Sequence, residues 1–399
     1  MTSSVAPVPR NVPASPWPSY SDDEIAAVSA VLRSGKVNYW TGDECRTFER
    51  EFAGWCGAQH AVALANGTVA LDLALKVLGI GAGDEVVVTP RSFLATASAI
   101  VNAGATPVFA DVDRNSQNIT ADTIRPALSA RSKAILCVHI AGWPCEMDGL
   151  LSLAGENGLY LIEDCAQAHG ASFRGRSVGS FGHVAAWSFC QDKIMTTGGE
   201  GGMLTTNDAS LWQKAWSYKD HGKSWDAVYQ REHPPGFRWV HESFGTNWRM
   251  TEMQAAIGRV QLKRMPDWHV ARRRNAEAIL DAARSCAAFR VPVVPDHLRH
   301  AWYKTHLFTV PGRLKVGWDR DRVIAEIESD GVPCGIGGCS EIYLEKAFDG
   351  TGFRPATRLP AARELGDTSV AFLVHPTLTT AELEKTCQSI RRVGRMALA

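Results

Sequence analysis

From Ala61 to Asp164 the chain alternates short, continuously apolar runs with stretches whose apolar residues recur at helical spacing, and nothing else constrains its fold as strongly. VALAN is followed by a helical LDLALKVLGIG, EVVV by ATASAIVNAG, and PVFADV by ITADTIRPAL; then KAILCVHI, MDGLLSLAGENG and YLIED continue the pattern. Runs such as AILCV and YLI do not alternate apolar with polar, as strands buried on both faces of a parallel sheet do not. Strand and helix in turn specify an α/β sheet domain. Ahead of it, Asp22 to Leu32 has acids in its first turn, helical apolar spacing and Gly35 as its stop. VAAWSF and GGMLTT read as two further short strands.

From Arg249 to Ser285 the pattern is helical, with Pro266 expected to kink or break it. Beyond this helix, strand-like FRVPVV and HLFTV alternate with helical DRDRVIAEIESDG and TAELEKTCQSIRRV. The expected organisation is therefore an arm over residues 1–20, a large α/β domain over 21–275 and a smaller α+β domain over 276–399. No internal repeat is visible.

Lys plus Arg and Asp plus Glu each number 42 in 399 residues, so the formal charge is zero. No basic field exists to attract nucleic acid or an anionic membrane, and a small-molecule partner is expected. Ten cysteines stand singly with no CxxC pair, the pattern of reduced intracellular thiols. Cys334 and Cys339 share a glycine-rich loop, but no Cys/His pair completes a metal site, so no metal is expected. The opening MTSSVAPVPRNVPASPWP has no apolar stretch of signal length, and no segment reaches the roughly 20 apolar residues of a membrane span. A soluble, cytoplasmic protein is expected.

Three segments fall at the carboxyl ends of strands, where ligands bind in open α/β sheets. Asn66-Gly67-Thr68 lies between a strand and a helix: glycine permits close backbone approach, and free N–H groups with the Thr68 hydroxyl make a phosphate cradle. A plain capped strand-to-helix turn has the same appearance. Glu163-Asp164 ends the YLI strand, with Gln167 three residues on. A buried carboxylate must be paired, and a protonated pyridine nitrogen is a fitting partner, as are backbone amides. Ser188-Phe189-Cys190-Gln191-Asp192-Lys193 leads into a glycine-dense turn. Burial would make the Lys193 amine nucleophilic, and Ser188 could add a hydroxyl to the phosphate. A surface lysine beside a hairpin is the alternative.

Together these segments resemble the DegT/DnrJ/EryC1/StrS family of sugar aminotransferases dependent on pyridoxal 5'-phosphate (PLP), over nearly the whole chain. NGTVALDLAL is similar to that family's phosphate turn, TPRSFLATASAI to its ring-stacking segment, EDCAQAHGA to its aspartate strand and SFCQDKIMTTGGEGGM to its lysine loop. GTNWRMTEMQAAIGRVQL is similar to its dimer-contact segment. The resemblance implies the type I aminotransferase fold: a large domain with a mixed, mostly parallel sheet and a smaller C-terminal α+β domain. It implies that Lys193 forms the Schiff base, Asp164 pairs with the ring nitrogen, Gln167 contacts the ring hydroxyl region and Phe93 stacks on the ring. Gly67, Thr68 and Ser188 would hold the phosphate, and Asn247 would reach it from the neighbouring subunit of a homodimer.

The implied reaction moves an amino group, from glutamate, to a keto sugar that is nucleotide-linked, or to a cyclitol ketone. Relatives that deoxygenate sugars place histidine where Lys193 stands, so the lysine argues for amino transfer. A sensor without turnover is the third reading; neither end carries a helix-turn-helix pattern. Two features depart from the family's commonest pattern. Arg91 stands where an aromatic is frequent, and residues 221–243 form a long insert rich in aromatic and basic residues. Arg91, Lys223 and Arg238 are read either as solvated surface groups or as partners of a nucleotide diphosphate. His221, Trp225 and Tyr229 are open between packing and sugar binding. CGIGGCSEIYLEKAF and the turn at His375-Pro376 are expected to close over the cofactor.

Overall fold

The structure, a computed structural model, describes residues 15–399, so most of the expected 1–20 arm lies outside the described residues. The first elements in chain order are α1 (Asp22–Ser34), α2 (Glu44–Cys56), β1 (His60–Leu64), α3 (Gly67–Val77), β2 (Glu85–Val88), α4 (Ala95–Asn102) and β3 (Thr106–Phe109). They are followed by α5 (Ala121–Ile124), β4 (Ser132–Val138), α6 (Met147–Glu156), β5 (Tyr160–Asp164), β6 (Ser172–Phe173), β7 (Arg176–Ser177), β8 (Val184–Ser188) and β9 (Gly202–Thr206). After α7 (Ala209–Lys219) and α8 (Trp225–Tyr229) comes the long α9 (Glu252–Arg284). The chain ends with β10 (Phe289–Arg290), β11 (Leu298–Arg299), β12 (Lys304–Thr309), α10 (Arg320–Ser329), β13 (Cys334–Gly335), α11 (Pro360–Thr368), β14 (Ser369–Leu373) and α12 (Thr380–Ala397).

Seven strands form the main sheet in the order β1-β9-β8-β5-β4-β2-β3. All pairs from β8 to β3 are parallel, and only β9 runs against its neighbours. The continuous apolar runs have a direct cause. Val86 and Val88 of β2 turn into one core with Leu73 and Ala97, while Val87 turns into another with Leu150 and Leu153. With both faces covered, neither parity of the strand can be polar.

Local signals start and stop the helices. Ser21 caps α1 in a reciprocal arrangement with Glu24, and Gly35 closes it at φ 68°. The helix expected across ITADTIRPAL shrinks to the single turn of α5 and a following 3₁₀ turn, Arg125–Ala127, because Pro126 supplies no N–H to continue it. The expected break at Pro266 does not occur: α9 runs unbroken for 33 residues. Its first half packs on α1 and α2 and its second on β12 and α12, so tertiary contacts on both sides of the proline outweigh its local cost.

A second sheet, β10-β12-β14-β13, is wholly antiparallel and packs against α9, α10 and α12 around Ile279, Leu307, Val370 and Ile390. The first described residues are docked. Ser15 donates its N–H and hydroxyl to Glu382 of α12, and Trp17 packs edge-on to Trp268 at 5.1 Å. Among the described residues no helix is long and apolar enough to cross a membrane.

Candidate active site

Because β4, β5 and β8 are parallel neighbours, their carboxyl ends share one edge of the sheet, and the three sequence segments meet there. Asn66 caps α3 by accepting from Val69 N–H at 3.0 Å, which leaves the N–H groups of Gly67 and Thr68 outside the intrahelical ladder. Gly67 is required by contact: a Cβ there would lie 2.6 Å from the Ser188 Cβ. Gly67, Thr68 and Ser188 therefore border one small space, at a helix start that favours negative charge.

Two adjacent carboxylates end β5, and their surroundings give them different roles. Glu163 is fully buried and accepts from His139 at 3.0 Å and from the backbone N–H groups of Gly179, Phe181 and Gly182. Burial pushes it up, but His139 and these N–H groups outweigh that and hold it below the usual range. Asp164 has fewer donors: Thr96 Oγ1 at 2.9 Å and Ala166 N–H at 3.1 Å. Burial raises it. Asp164 is thus the carboxylate with bonding capacity left for a cation, as a protonated ring nitrogen requires. His139, Glu163 and Cys165 could also surround a cation, but the Glu163 oxygens are already taken.

Lys193 lines a cavity of about 230 Å³ with Phe93, Gln167, Asp192 and Tyr303. Its side chain is 16% exposed, with Nζ 3.6 Å from Asp192 and 5.1 Å from the Tyr303 ring centre. Asp192 also accepts from the Tyr303 hydroxyl; Lys193 and this bond hold it below its ordinary range although burial opposes them. Gln167 accepts from Ala141 N–H at 2.7 Å, so its amide NH₂ is free for a ligand. Phe93 is 72% exposed. The Lys193 backbone carbonyl accepts from the Trp17 indole at 2.9 Å. Larger clefts of about 450 and 660 Å³ exist elsewhere, but neither is lined by Lys193 or Gln167. Asn247 does not line the Lys193 cavity; it is exposed and bridges to Asp220.

The solvated reading of Arg91 fails: the side chain is buried in the cavity wall, 2% exposed. Lys223 instead pairs with Asp220 at 3.0 Å, and Arg238 ties to the carbonyls of Ala227 and Val228. Trp225 and Tyr229 pack on each other, ring centres 4.2 Å apart, and Trp225 also meets Trp216. Gly337, Cys339 and Glu345 of the C-terminal loop line the cavity, whereas His375 stacks on Trp17. Thr96, Tyr303, Lys304 and His306 escaped sequence reasoning. Thr96 had a signal, since it follows Ser92 by one helical turn, and the two hydroxyls bond at 2.8 Å. The β12 residues had none, because only the packing of the second sheet brings them to the cavity.

A mostly parallel sheet with a lysine, an aspartate and a glycine turn at a helix start along its carboxyl edge, and a small sheet beside them, defines a PLP-dependent aminotransferase of fold type I. Residues 18–391 match the DegT/DnrJ/EryC1/StrS aminotransferase family, and the chain belongs to it. It is 35% identical over 390 residues to the spore coat polysaccharide biosynthesis protein SpsC of Bacillus subtilis, covering 95% of this chain and 96% of the relative. It is 32% identical over 366 residues to dTDP-3-amino-3,4,6-trideoxy-alpha-D-glucose transaminase of Streptomyces venezuelae, covering 92% and 90%. The crystal structure of an aminotransferase from Psychrobacter cryohalolentis superposes with a TM-score of 0.95 at 58% identity, covering 96% of this chain and 100% of that one.

Proposed function

We propose that this aminotransferase moves an amino group from glutamate to the ketone of a nucleotide-linked sugar, in the cytoplasm, as a homodimer. The observation that carries the reading is the amine of Lys193 in one cavity with Gln167, with Asp164 buried behind it and short of donors. PLP, when bound, supplies the electron sink that acidifies the donor's alpha carbon. The chain's residues do the rest. Asp164 keeps the ring nitrogen protonated, and Gly67, Thr68 and Ser188 anchor the phosphate. Lys193 Nζ would take the alpha proton from the donor and deliver it to the cofactor within the same half-reaction, and the second half-reaction would run this transfer in reverse. Asp192 and Tyr303 hold Nζ in place meanwhile.

Names of relatives support the acceptor class, since one is a dTDP-sugar transaminase. The exposure of Asn247, which does not line its own subunit's Lys193 cavity, supports a contact made across a dimer. Residues 276–399 are proposed as the small domain, hinged on α9. The test is transfer of ¹⁵N from labelled glutamate into a panel of nucleotide-linked keto sugars. Transfer by the wild type and none by Lys193→Ala is the expected outcome; equal transfer by both would remove Lys193 from the chemistry.

A further inference from the structure

Arg91 is a fully buried cation with only neutral partners. Its Nε donates to Gln117 at 3.0 Å, and its two Nη groups donate to the hydroxyls of Ser340 and Ser369. Among the described residues no carboxylate lies within ion-pair distance, and its charged neighbour Arg320 has the same sign. A buried guanidinium without a counter-charge is costly. Three of its five N–H bonds are used, so two remain.

The same cavity wall carries two more unmatched groups, both from β12. Lys304 is half-buried, with Nζ 5.0 Å from the Tyr303 ring centre, and makes no ion pair among the described residues. His306 is 5% exposed and its Nε2 has no partner. The cavity's own acids do not balance these charges: Asp192 is shared between Lys193, Tyr303 and the field of Lys304, Glu345 is exposed, and neither pairs with Arg91.

We infer that Arg91 and Lys304 form a carboxylate subsite that holds the amino donor in the Lys193 cavity. The chemistry of the wall selects the ligand: a planar carboxylate matches the two N–H bonds left on the Arg91 fork and supplies the counter-charge that Arg91 lacks. The assignment of a donor rests on the aminotransferase reading; the carboxylate subsite itself does not.

Calorimetric titration of the holoenzyme with glutarate, a dicarboxylate that cannot react, tests the subsite. Arg91→Met and Lys304→Met should each weaken glutarate by about tenfold or more, the loss of one charge-assisted bond. Whichever of UDP, dTDP or GDP binds the wild type should bind both variants within about twofold. Lys304→Met keeps the test valid if Arg91→Met fails to fold, because Lys304 is only half-buried. Unchanged glutarate affinity in Lys304→Met, no glutarate binding by the wild type, or loss of nucleoside diphosphate affinity instead would each overturn the subsite. Intact glutarate behaviour with no ¹⁵N transfer from any amino acid would overturn the donor reading alone.

Discussion

Thr96 gives Asp164 one of its two hydrogen bonds, and its own hydroxyl is in turn in contact with Ser92. Thr96→Val keeps the shape and removes the donor, leaving a buried carboxylate oxygen unsatisfied. The expected cost is about 1–3 kcal/mol, measured as a lower urea midpoint in the cofactor-free protein. Gly67→Ala tests the opposite kind of fault, too much material. A Cβ 2.6 Å from the Ser188 Cβ forces α3 and β8 apart at the proposed phosphate turn, so PLP affinity should fall more than about tenfold in a fluorescence titration. Gly67, Asp164 and Lys193 were legible in the sequence because each sits at a strand end next to a turn. Arg91 was not: whether an arginine in a loop is solvated or walled in depends on Ser340 and Ser369, some 250 residues away.

At the scale of elements, apolar runs announced the strands of the main sheet, because burial on two faces writes itself into every residue of a strand. Helix caps were equally local. Pro266 shows the limit of such reading, since a rule about one residue lost to packing along 33. The strain it leaves should be recoverable. Pro266→Ala restores an N–H in the helix interior and should stabilise the protein by about 1–3 kcal/mol, seen as a raised denaturant midpoint with unchanged slope. An unchanged or lowered midpoint would mean that the proline ring itself contributes packing at that position.

For the whole molecule, buried histidines set the response to acid. Burial is the largest cause that pushes His169 and His300 down to about 3 and His269 and His375 down to about 4. Their folded values lie below the unfolded value of about 6.5, so below pH 6.5 the unfolded chain binds more protons than the folded one. His306 is lowered by burial as well, so stability should fall as pH drops from about 6.5 to 4, with a ceiling of roughly 7 kcal/mol per pH unit if all five act together. His169 packs against Trp187 and Phe189 without a hydrogen-bond partner, so His169→Phe should lower that slope by about 1.4 kcal/mol per pH unit. Urea unfolding across this pH range measures both. The cavity's far wall, by contrast, belongs to no single segment. Tyr303, Lys304 and His306 reach Lys193 only because the second sheet stands beside the first, a fact of tertiary assembly that no local pattern records.

Trp17 belongs to this scale as well. Its indole is bonded to the carbonyl of Lys193 and its ring stacks on His375, while Ser15 is fastened to Glu382. A stretch of a few residues near the start of the chain thereby ties the loop that carries Lys193 to the last helix. Trimming back beyond Trp17 would cut a three-way knot, and a fusion made there would exert its pull on the lysine.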